Sequence, residues 1–533
     1  MSTFGSFQKR CTAAALAGFL IACVPAAGCN TGGGQTSGSS QVSGSTSTVI
    51  ENSIETKFGN NVVIKSDHYQ FTYPVVNHLF NLIYQRFVNS YGTSYIDESQ
   101  PLNQQYYSPE ENITWQDYFV DQTQQYMVQI MTFAEAAQAA GVKLTDEDMK
   151  SVEENFTAME SVAAESSMTL DEYITQVYGT GISKADITAV QEMSLLASKY
   201  SQEVYDGFTY SAKDLEDYYN AHQSQFQYAD YGAYTFQFAP TGDASAKEDE
   251  ETKKKMMEYA EGLKNCTTQA EFEDFLRQYF KSNPSLVSIT TDTSDPSVTE
   301  DTFNNAVEEK VTATVYTKSS YEVNTDTGKW VFDSARKAGD STIISSDTGY
   351  TAVLMINPAY RDTSTYKNVR HILIKGSDAS GTASSDSDSR TDAEAKALAQ
   401  QIYDEWKSGE ASENSFAELA KKYTEDPGSK DNGGLYENVY EGQMVDTFND
   451  WTFDPTRKGG DSGIVKTQYG YHIMYFVGNT RPVWELQVDS TKRYEDRMAK
   501  YEEFSKKYTI DVDETAIKKV YLMTTTTESI DGE

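Results

Sequence analysis

From about residue 52 to 227 the apolar positions recur at helical spacing. Tyr126, Ile130 and Phe133 share one face and stop before Gly141. Thr145 with Asp148, Thr169 with Glu172 and Ser211 with Asp214 have the spacing of capping boxes or their Asp variants, which open further helices. The pattern predicts a predominantly helical N-terminal domain whose Tyr, Phe and Met positions are core. After Gln227 it changes: 231–238 predicts a strand, followed by a polar linker, helices near 253–263 and 272–280, and a closing strand over 350–356. The same order then returns as a strand over 369–374, a polar loop over 376–390, helices over 392–406 and 416–423, and a strand over 471–477. Beyond Asn479 a helix over about 490–508 carries Tyr494, Met498, Tyr501, Phe504 and Tyr508 near one face. Such a stripe must be buried, and the helical N-terminal domain is the obvious partner. The tail over 524–533 reads as frayed.

The recurrence is carried by sequence as well as by pattern. Residues 330–350, from Trp330 to Tyr350, align without a gap on residues 451–471, from Trp451 to Tyr471, with about half the positions identical. Trp, Phe-Asp, Arg-Lys, Gly-Asp-Ser and Gly-Tyr fall in register, the signature of a repeated unit. Placing 231–238 on the 369–374 strand sets Thr235 at the position of His371, and the gapless alignment sets Thr351 at that of His472. Aligning 272–279 on 416–423 sets Ser282 at that of Asp426. No histidine lies between His222 and His371, so the first copy lacks a histidine pair in any register.

Composition narrows the class. The 533 residues carry 44 Lys+Arg against 80 Asp+Glu, a net charge of −36, which argues against a nucleic-acid partner and against a broad basic face toward anionic lipid. Mean hydropathy is −0.59, and length alone suggests several domains. At the N-terminus, Lys9-Arg10, the apolar stretch 11–24 and the small-residue run Pro25-Ala26-Ala27-Gly28 before Cys29 read as an export signal. The Gly/Ser/Thr-rich tract 31–48 follows as a flexible tether. The small residues before Cys29 resemble a bacterial lipoprotein lipobox, with Ala26 where that motif usually carries Leu. The resemblance implies lipidation of Cys29; an ordinary secretory signal is the alternative. Cys11 and Cys23 leave with the signal and Cys266 stays alone, so neither an internal disulfide nor a cysteine-cluster metal site is expected.

The candidate chemistry lies in the second copy. Val369-Arg370-His371-Ile372-Leu373-Ile374 and Gly470-Tyr471-His472-Ile473-Met474 each place a histidine inside a strand. Between them lie Tyr423-Thr-Glu-Asp-Pro-Gly-Ser429, Gly433-Gly-Leu435 and Glu441-Gly-Gln-Met-Val-Asp-Thr-Phe448. This ordered set resembles a parvulin-type peptidyl-prolyl cis/trans isomerase domain over about 366–478. The resemblance implies that His371 and His472 are the paired core histidines, Asp426 the acidic member beside them and Thr467 the hydroxyl of their network. It also implies that Leu435, Met444 and Phe448 form the apolar pocket for the proline ring, and Tyr469 stands where some members carry Ser. Two strand histidines that satisfy one another in the core are the structural alternative. No metal or other cofactor is expected. The acidic and polar run after Lys375 implies no preference for phosphorylated substrates.

The expected architecture is an α+β multidomain chain. Residues 1–28 form the signal, 29–50 the tether and 51–228 a helical chaperone-like domain. Residues 229–360 form a degenerate parvulin-like copy, 366–478 the intact copy, and 479–533 a C-terminal helix that completes the helical domain, plus the tail. This order resembles PrsA-type foldase lipoproteins, with a two-copy layout similar to that of SurA chaperones. It implies a membrane-anchored, extracytoplasmic bacterial isomerase and chaperone acting on unfolded or partly folded exported polypeptides with X-Pro bonds. A non-catalytic holdase and, further off, an adhesin or solute-binding lipoprotein are the rivals.

Overall fold

The structure is a computed structural model that describes residues 61–92, 95–238, 246–287, 300–320, 325–376 and 390–523. The expected signal, Cys29, the tether, most of the polar loop after Lys375 and the tail lie outside them. The chain divides into two compact units, one made of residues up to Thr209 and from Lys492, the other of Tyr210–Thr491. Helices and antiparallel sheets occur together, as an α+β multidomain chain requires.

In the first unit, β1 (Val62–Lys65) and β2 (Gln70–Thr72) form a hairpin whose other edge pairs with the C-terminal strand Asp511–Val512. Helix α1 (Tyr73–Tyr91) follows, then a small hairpin of β3 (Tyr106–Ser108) and β4 (Ile113–Thr114). Helices α2 (Trp115–Ala140), α3 (Asp146–Glu165), α4 (Leu170–Tyr178) and α5 (Lys184–Gly207) complete the run. Each of these four opens with a reciprocal capping box, at Thr114, Thr145, Thr169 and Ser183. A side-chain oxygen thereby accepts one of the amide protons that the first turn leaves unpaired. Phe80, Phe119, Met127, Met131 and Phe133 form the centre of the core. Tyr501 stacks on Phe133, and Phe504 meets Phe133 edge-on and Tyr200 at a tilt, so these two residues of the aromatic stripe pack half-buried against this core. The short strands carry too few residues for a period of two to register in the sequence.

In the second unit, β5 (Gln227–Gln237), β6 (Val315–Ser320), β7 (Ser341–Ser345) and β8 (Gly349–Arg361) make an antiparallel sheet of order β6-β5-β8-β7. The strands β9 (Thr365–Ile374), β10 (Leu435–Val439), β11 (Ser462–Thr467) and β12 (Gly470–Pro482) make a second sheet of order β10-β9-β12-β11. The topologies coincide, and the edge strands β6, β7, β10 and β11, with no counterpart in the sequence reading, complete them. On one face of the first sheet, α6 (Ala246–Lys264) and α7 (Gln269–Ser282) bury Phe272, Leu276 and Phe280 against Phe236 and Leu354. On the matching face of the second, α8 (Asp392–Ser408) and α9 (Glu413–Tyr423) bury Trp406 and Phe416 against Ile372, Ile374 and Ile473.

The repeated motif makes the same contacts twice. Arg336 lies over the Trp330 ring and pairs with Asp333; Arg457 lies over Trp451 and pairs with Asp454. The amide of Lys337 donates to Asp340 and that of Lys458 to Asp461, both at 2.9 Å. Gly339 and Gly460 each donate 2.8 Å to the closing strand, to the carbonyls of Met355 and Phe476. Both glycines have positive φ, +85° and +91°, which explains their retention at a turn that L side chains disfavour.

Helix α10 (Val483–Lys507) starts seven residues earlier than its aromatic stripe suggested. Its first turns bury Trp484 and Val488 with Leu215, Tyr219 and Phe226 in the second unit. The Arg361 guanidinium is held there between the Tyr219 and Trp484 rings while it binds both oxygens of Glu216. Among the described residues no helix is long and apolar enough to cross a membrane.

One ion pair of the first unit makes its stability depend on pH. The Glu135 carboxyl, on α2, is buried; it accepts the His68 amide at 2.8 Å and contacts His68 Nδ1 at 2.6 Å. Glu135 raises the His68 pKa above its ordinary 6.5 through that hydrogen bond and its charge. A raised folded-state pKa contributes stability that is present below about pH 6.5 and is lost as pH climbs through the folded value. The thermal midpoint of the native chain should therefore exceed that of His68→Gln most near about pH 6 and least near about pH 8.5. A pH-independent difference between the two melting curves would contradict this.

Candidate functional site

The face of the second sheet away from α8 and α9 carries the polar cluster. In the β9–β12 pair His371 lies opposite Met474 and His472 opposite Leu373. The two imidazoles are therefore diagonal neighbours on one face, a spacing that still allows contact between long side chains. Their Nδ1 atoms are 3.1 Å apart, and both rings are buried.

A loop after α9 brings in the acid. The Thr424 hydroxyl accepts the Leu373 amide at 3.0 Å, and the Glu425 amide donates 2.9 Å to the Leu373 carbonyl, stapling the loop to β9. Asp426 then stands with Oδ2 at 3.0 Å from His371 Nε2. The buried Ser429 hydroxyl donates to the same oxygen and lies 3.0 Å from the same nitrogen. The loop returns through Gly433 and Gly434. A Cβ on Gly434, whose φ is +76°, would stand 2.2 Å from the His371 carbonyl oxygen, so this close return requires glycine.

At the other end, the Thr467 hydroxyl is 2.9 Å from His472 Nε2 and accepts the Tyr469 amide at 3.0 Å. The hydrogen bond from His371 holds the Asp426 carboxyl far below the ordinary carboxylate range, helped by Ser429 and by Tyr436, against the opposing effect of burial. An ionised carboxylate only accepts, so His371 Nε2 carries a proton. His472 bonds His371 through Nδ1 and the Thr467 hydroxyl through Nε2. Burial, with the neighbouring His371, depresses the His472 pKa to about 3, which keeps that ring uncharged.

Phe448, on the helix Asp446–Phe453, meets both imidazoles edge-on at centroid distances of 5.6 and 5.4 Å. It packs in an apolar cluster with Val369, Val439, Met474 and Phe476, with Met444 against its side. His371, Asp426, His472, Thr467, Met444 and Phe448 are thus brought together. Leu435 is not: it pairs with Arg370, which reaches Glu413 on the helix-covered side. Its neighbour Tyr436 pairs with Val369, stacks on His371 at 4.9 Å and donates 2.8 Å to Asp426 Oδ2. Tyr436 and Ser429 are the residues the sequence reading missed. Strand alternation away from the His371 position could have found Tyr436, once the Gly433-Gly434 turn fixed where β10 begins. The Tyr469 side chain is exposed, and the residue serves the network through its backbone.

The first copy has the same frame with different contents. In the β5–β8 pair Ala233 lies opposite Val353 and Thr235 opposite Thr351. On the gapless alignment Val353 matches Met474 and Thr351 matches His472, so the counterpart of His371 is Ala233, and Thr235 matches Leu373. The expected strand alignment was two residues out, because a repeating face pattern tolerates a shift of two. The hydroxyls of Thr235 and Thr351 bond each other at 2.8 Å. Phe448 is matched by Thr327. Where the second copy is filled by imidazoles and phenyl, the first leaves a cavity of about 930 Å³ lined by Ala233, Thr235, Thr351, Thr327, Tyr316 and Phe332 among others.

Residues 354–479 match the family described as the PPIC-type PPIASE domain. Over 111 residues the chain is 40% identical to Chaperone SurA of Pseudomonas syringae pv. syringae, an overlap of 21% of this chain and 22% of that protein. Over 239 residues it is 25% identical to Foldase protein PrsA 1 of Listeria innocua serovar 6a, covering 43% of this chain and 70% of that one. The chain therefore spans only about a fifth of the length of that SurA relative. Among solved structures, that of PrsA from Bacillus subtilis is 16% identical with a TM-score of 0.21, covering 64% of this chain and 95% of that one.

The hydrogen-bonded chain has a direct spectroscopic consequence. His472 should keep the chemical shifts of a neutral ring from about pH 8 down to about pH 4.5, whereas an unperturbed imidazole titrates near about 6.5. Nuclear magnetic resonance of histidine-labelled protein checks this, and a His472 midpoint near neutrality would break the assigned pattern. Its depressed pKa also means that its contribution to stability is complete above about pH 6.5 and declines as the pH falls toward the folded-state value.

Proposed function

We propose that this chain is a foldase and chaperone that isomerises X-Pro bonds of unfolded or partly folded exported polypeptides at the second-copy site. The observation that carries the proposal is the closed chain Asp426–His371–His472–Thr467 lying beside the apolar cluster of Met444 and Phe448. It occurs within the segment that matches the PPIC-type PPIASE domain. The chaperone and foldase names of the relatives support the wider role.

The chemistry is compatible with such a site. Twisting an amide costs about 18–20 kcal/mol because resonance is lost, and an X-Pro bond takes roughly tens to hundreds of seconds to isomerise unaided. In the planar amide the carbonyl oxygen carries part of the nitrogen electron pair; in the twisted state that charge returns to nitrogen. A fixed anion such as Asp426 beside the carbonyl disfavours the planar charge distribution more than the twisted one, which lowers the barrier. In this reading Met444 and Phe448 grip the proline ring. His371, His472 and Thr467 keep Asp426 oriented and ionised, and no covalent bond is broken.

The first copy, with Ala233, Thr351 and Thr327 in place of His371, His472 and Phe448, is read as non-catalytic, its cavity serving to bind polypeptide. Cys29 is read as a lipidated anchor that holds the protein at the outer side of the cell membrane, on the strength of the small-residue run that precedes it and the tether that follows.

The test is proline isomerisation on a short peptide by the full chain. His371→Ala and Asp426→Ala should each lower kcat/KM on the order of a hundredfold. No acceleration by the native chain would remove the isomerase and leave a holdase, to be sought in suppression of client aggregation. For the anchor, Cys29→Ser should move the protein from the membrane fraction to the soluble one, and an unchanged distribution would discard lipidation.

A further inference from the structure

Tyr436 touches His371, Asp426 and Phe448. Its edge strand β10 presents it on the His371 face; its ring lies nearly parallel to the imidazole, 19° from coplanar, and its centroid is 6.5 Å from that of Phe448. Its hydroxyl is the third donor to Asp426 Oδ2, after His371 Nε2 and Ser429. Burial and the adjacent carboxylate push the phenol up to about 12, so it remains a donor at any working pH. The first copy provides a comparison. Tyr316 pairs with Tyr231, the counterpart of Val369, and so holds the position of Tyr436. With no acid expected there, it stacks on Tyr231 at 5.0 Å instead. A tyrosine at this edge-strand position is therefore part of the shared frame, and its engagement with an acid belongs to the second copy.

We propose that Tyr436 is a positioning residue that clamps Asp426 Oδ2, and through it the Nε2–H of His371, and that it thereby sets the acid limit of activity. The proposal rests on the isomerase reading of this site. One carboxylate oxygen carrying three donors has little freedom to rotate. Removing the phenolic one loosens the carboxylate and, because its burial persists, makes protonation easier. The titratable groups facing Asp426 are His371 from β9 and Tyr436 from β10, with His472 from β12 behind His371. Tyr436→Phe keeps the ring stacked on His371 and removes only the hydroxyl.

Two measurements on the full chain separate the possibilities. The first is the pH profile of kcat/KM on a proline-containing tetrapeptide. Tyr436→Phe should reduce kcat/KM about tenfold and move the acid limb up by roughly one pH unit, with KM little changed because the wall is retained. The second is the titration of the Asp426 side-chain carboxyl, followed by carbon-13 resonance and assigned by its loss in Asp426→Asn. Its midpoint should rise by a similar amount in Tyr436→Phe. If the native chain has no isomerase activity, the functional reading fails, while the carboxyl titration still decides whether the clamp exists. An unmoved carboxyl midpoint overturns the clamp and leaves Tyr436 as a wall of the pocket. A moved midpoint with an unmoved kinetic profile overturns its link to catalysis.

Discussion

The site depends on the register between β9 and β12. Side chains in a strand alternate between faces, so a slip of one residue would carry His371 or His472 to the helix-covered side and bring Ile372 or Ile473 into the polar cluster. The register is held from the side that takes no part in the chemistry. Ile372, Ile374, Tyr471 and Ile473 are buried with Trp406 and Phe416 of the covering helices, and misplacing several such side chains would cost about 1.5–3 kcal/mol each. Close backbone contacts add to this: a Cβ on Gly470, whose φ is +129°, would stand 2.4 Å from the Ile374 carbonyl oxygen. An apolar core on one face thus fixes hydrogen-bond geometry on the other.

The two copies separate the requirements of the frame from those of the site. The retained residues stiffen a turn and tie it to the closing strand: the tryptophan under an arginine, the aspartates that cap the turn, and the glycine with positive φ. Among the exchanged residues, three face the site. Alanine, threonine and threonine stand in place of histidine, histidine and phenylalanine beside a cavity, and strand order is unaltered. Sheet topology, set by backbone pairing and the helix-side core, is therefore shared by two copies whose site-facing residues differ.

The sequence was most legible where a local rule coincided with the global structure. Capping boxes at Thr145, Thr169 and Ser211 mark real helix starts, since that signal needs only four residues. His371, His472, Asp426 and Thr467, which the structure brings together, could be singled out because an ordered set of motifs survives ignorance of the exact pairing. Leu435 was misjudged, and the first-copy strand was aligned two residues out, because face and register depend on a partner strand that no local pattern names. The edge strands β6, β7, β10 and β11 are only five or six residues long, too short for alternation to stand out. Ser429 lacked any signal apart from its place in a loop whose return path is fixed only in three dimensions.

The internal arrangement of charge explains why this cluster suits a reaction without proton transfer. Between the two Nδ1 atoms there is room for one proton, and the outer nitrogens are committed to Asp426 and Thr467. Moving a proton along this chain would place a charge on buried His472, which desolvation opposes, or would neutralise Asp426, whose donors favour the anion. On the proposed reading the cluster acts instead as a fixed dipole: an anion with three donors at one oxygen, backed by two hydrogen-bonded imidazoles. Such a site gains nothing from a nucleophile and loses nothing by burying its polar atoms, because every lone pair that matters is occupied. Under the proposed isomerase activity, its influence on a substrate would be the field it presents beside an apolar wall, and a rotating amide is a reaction centre to which such a field matters.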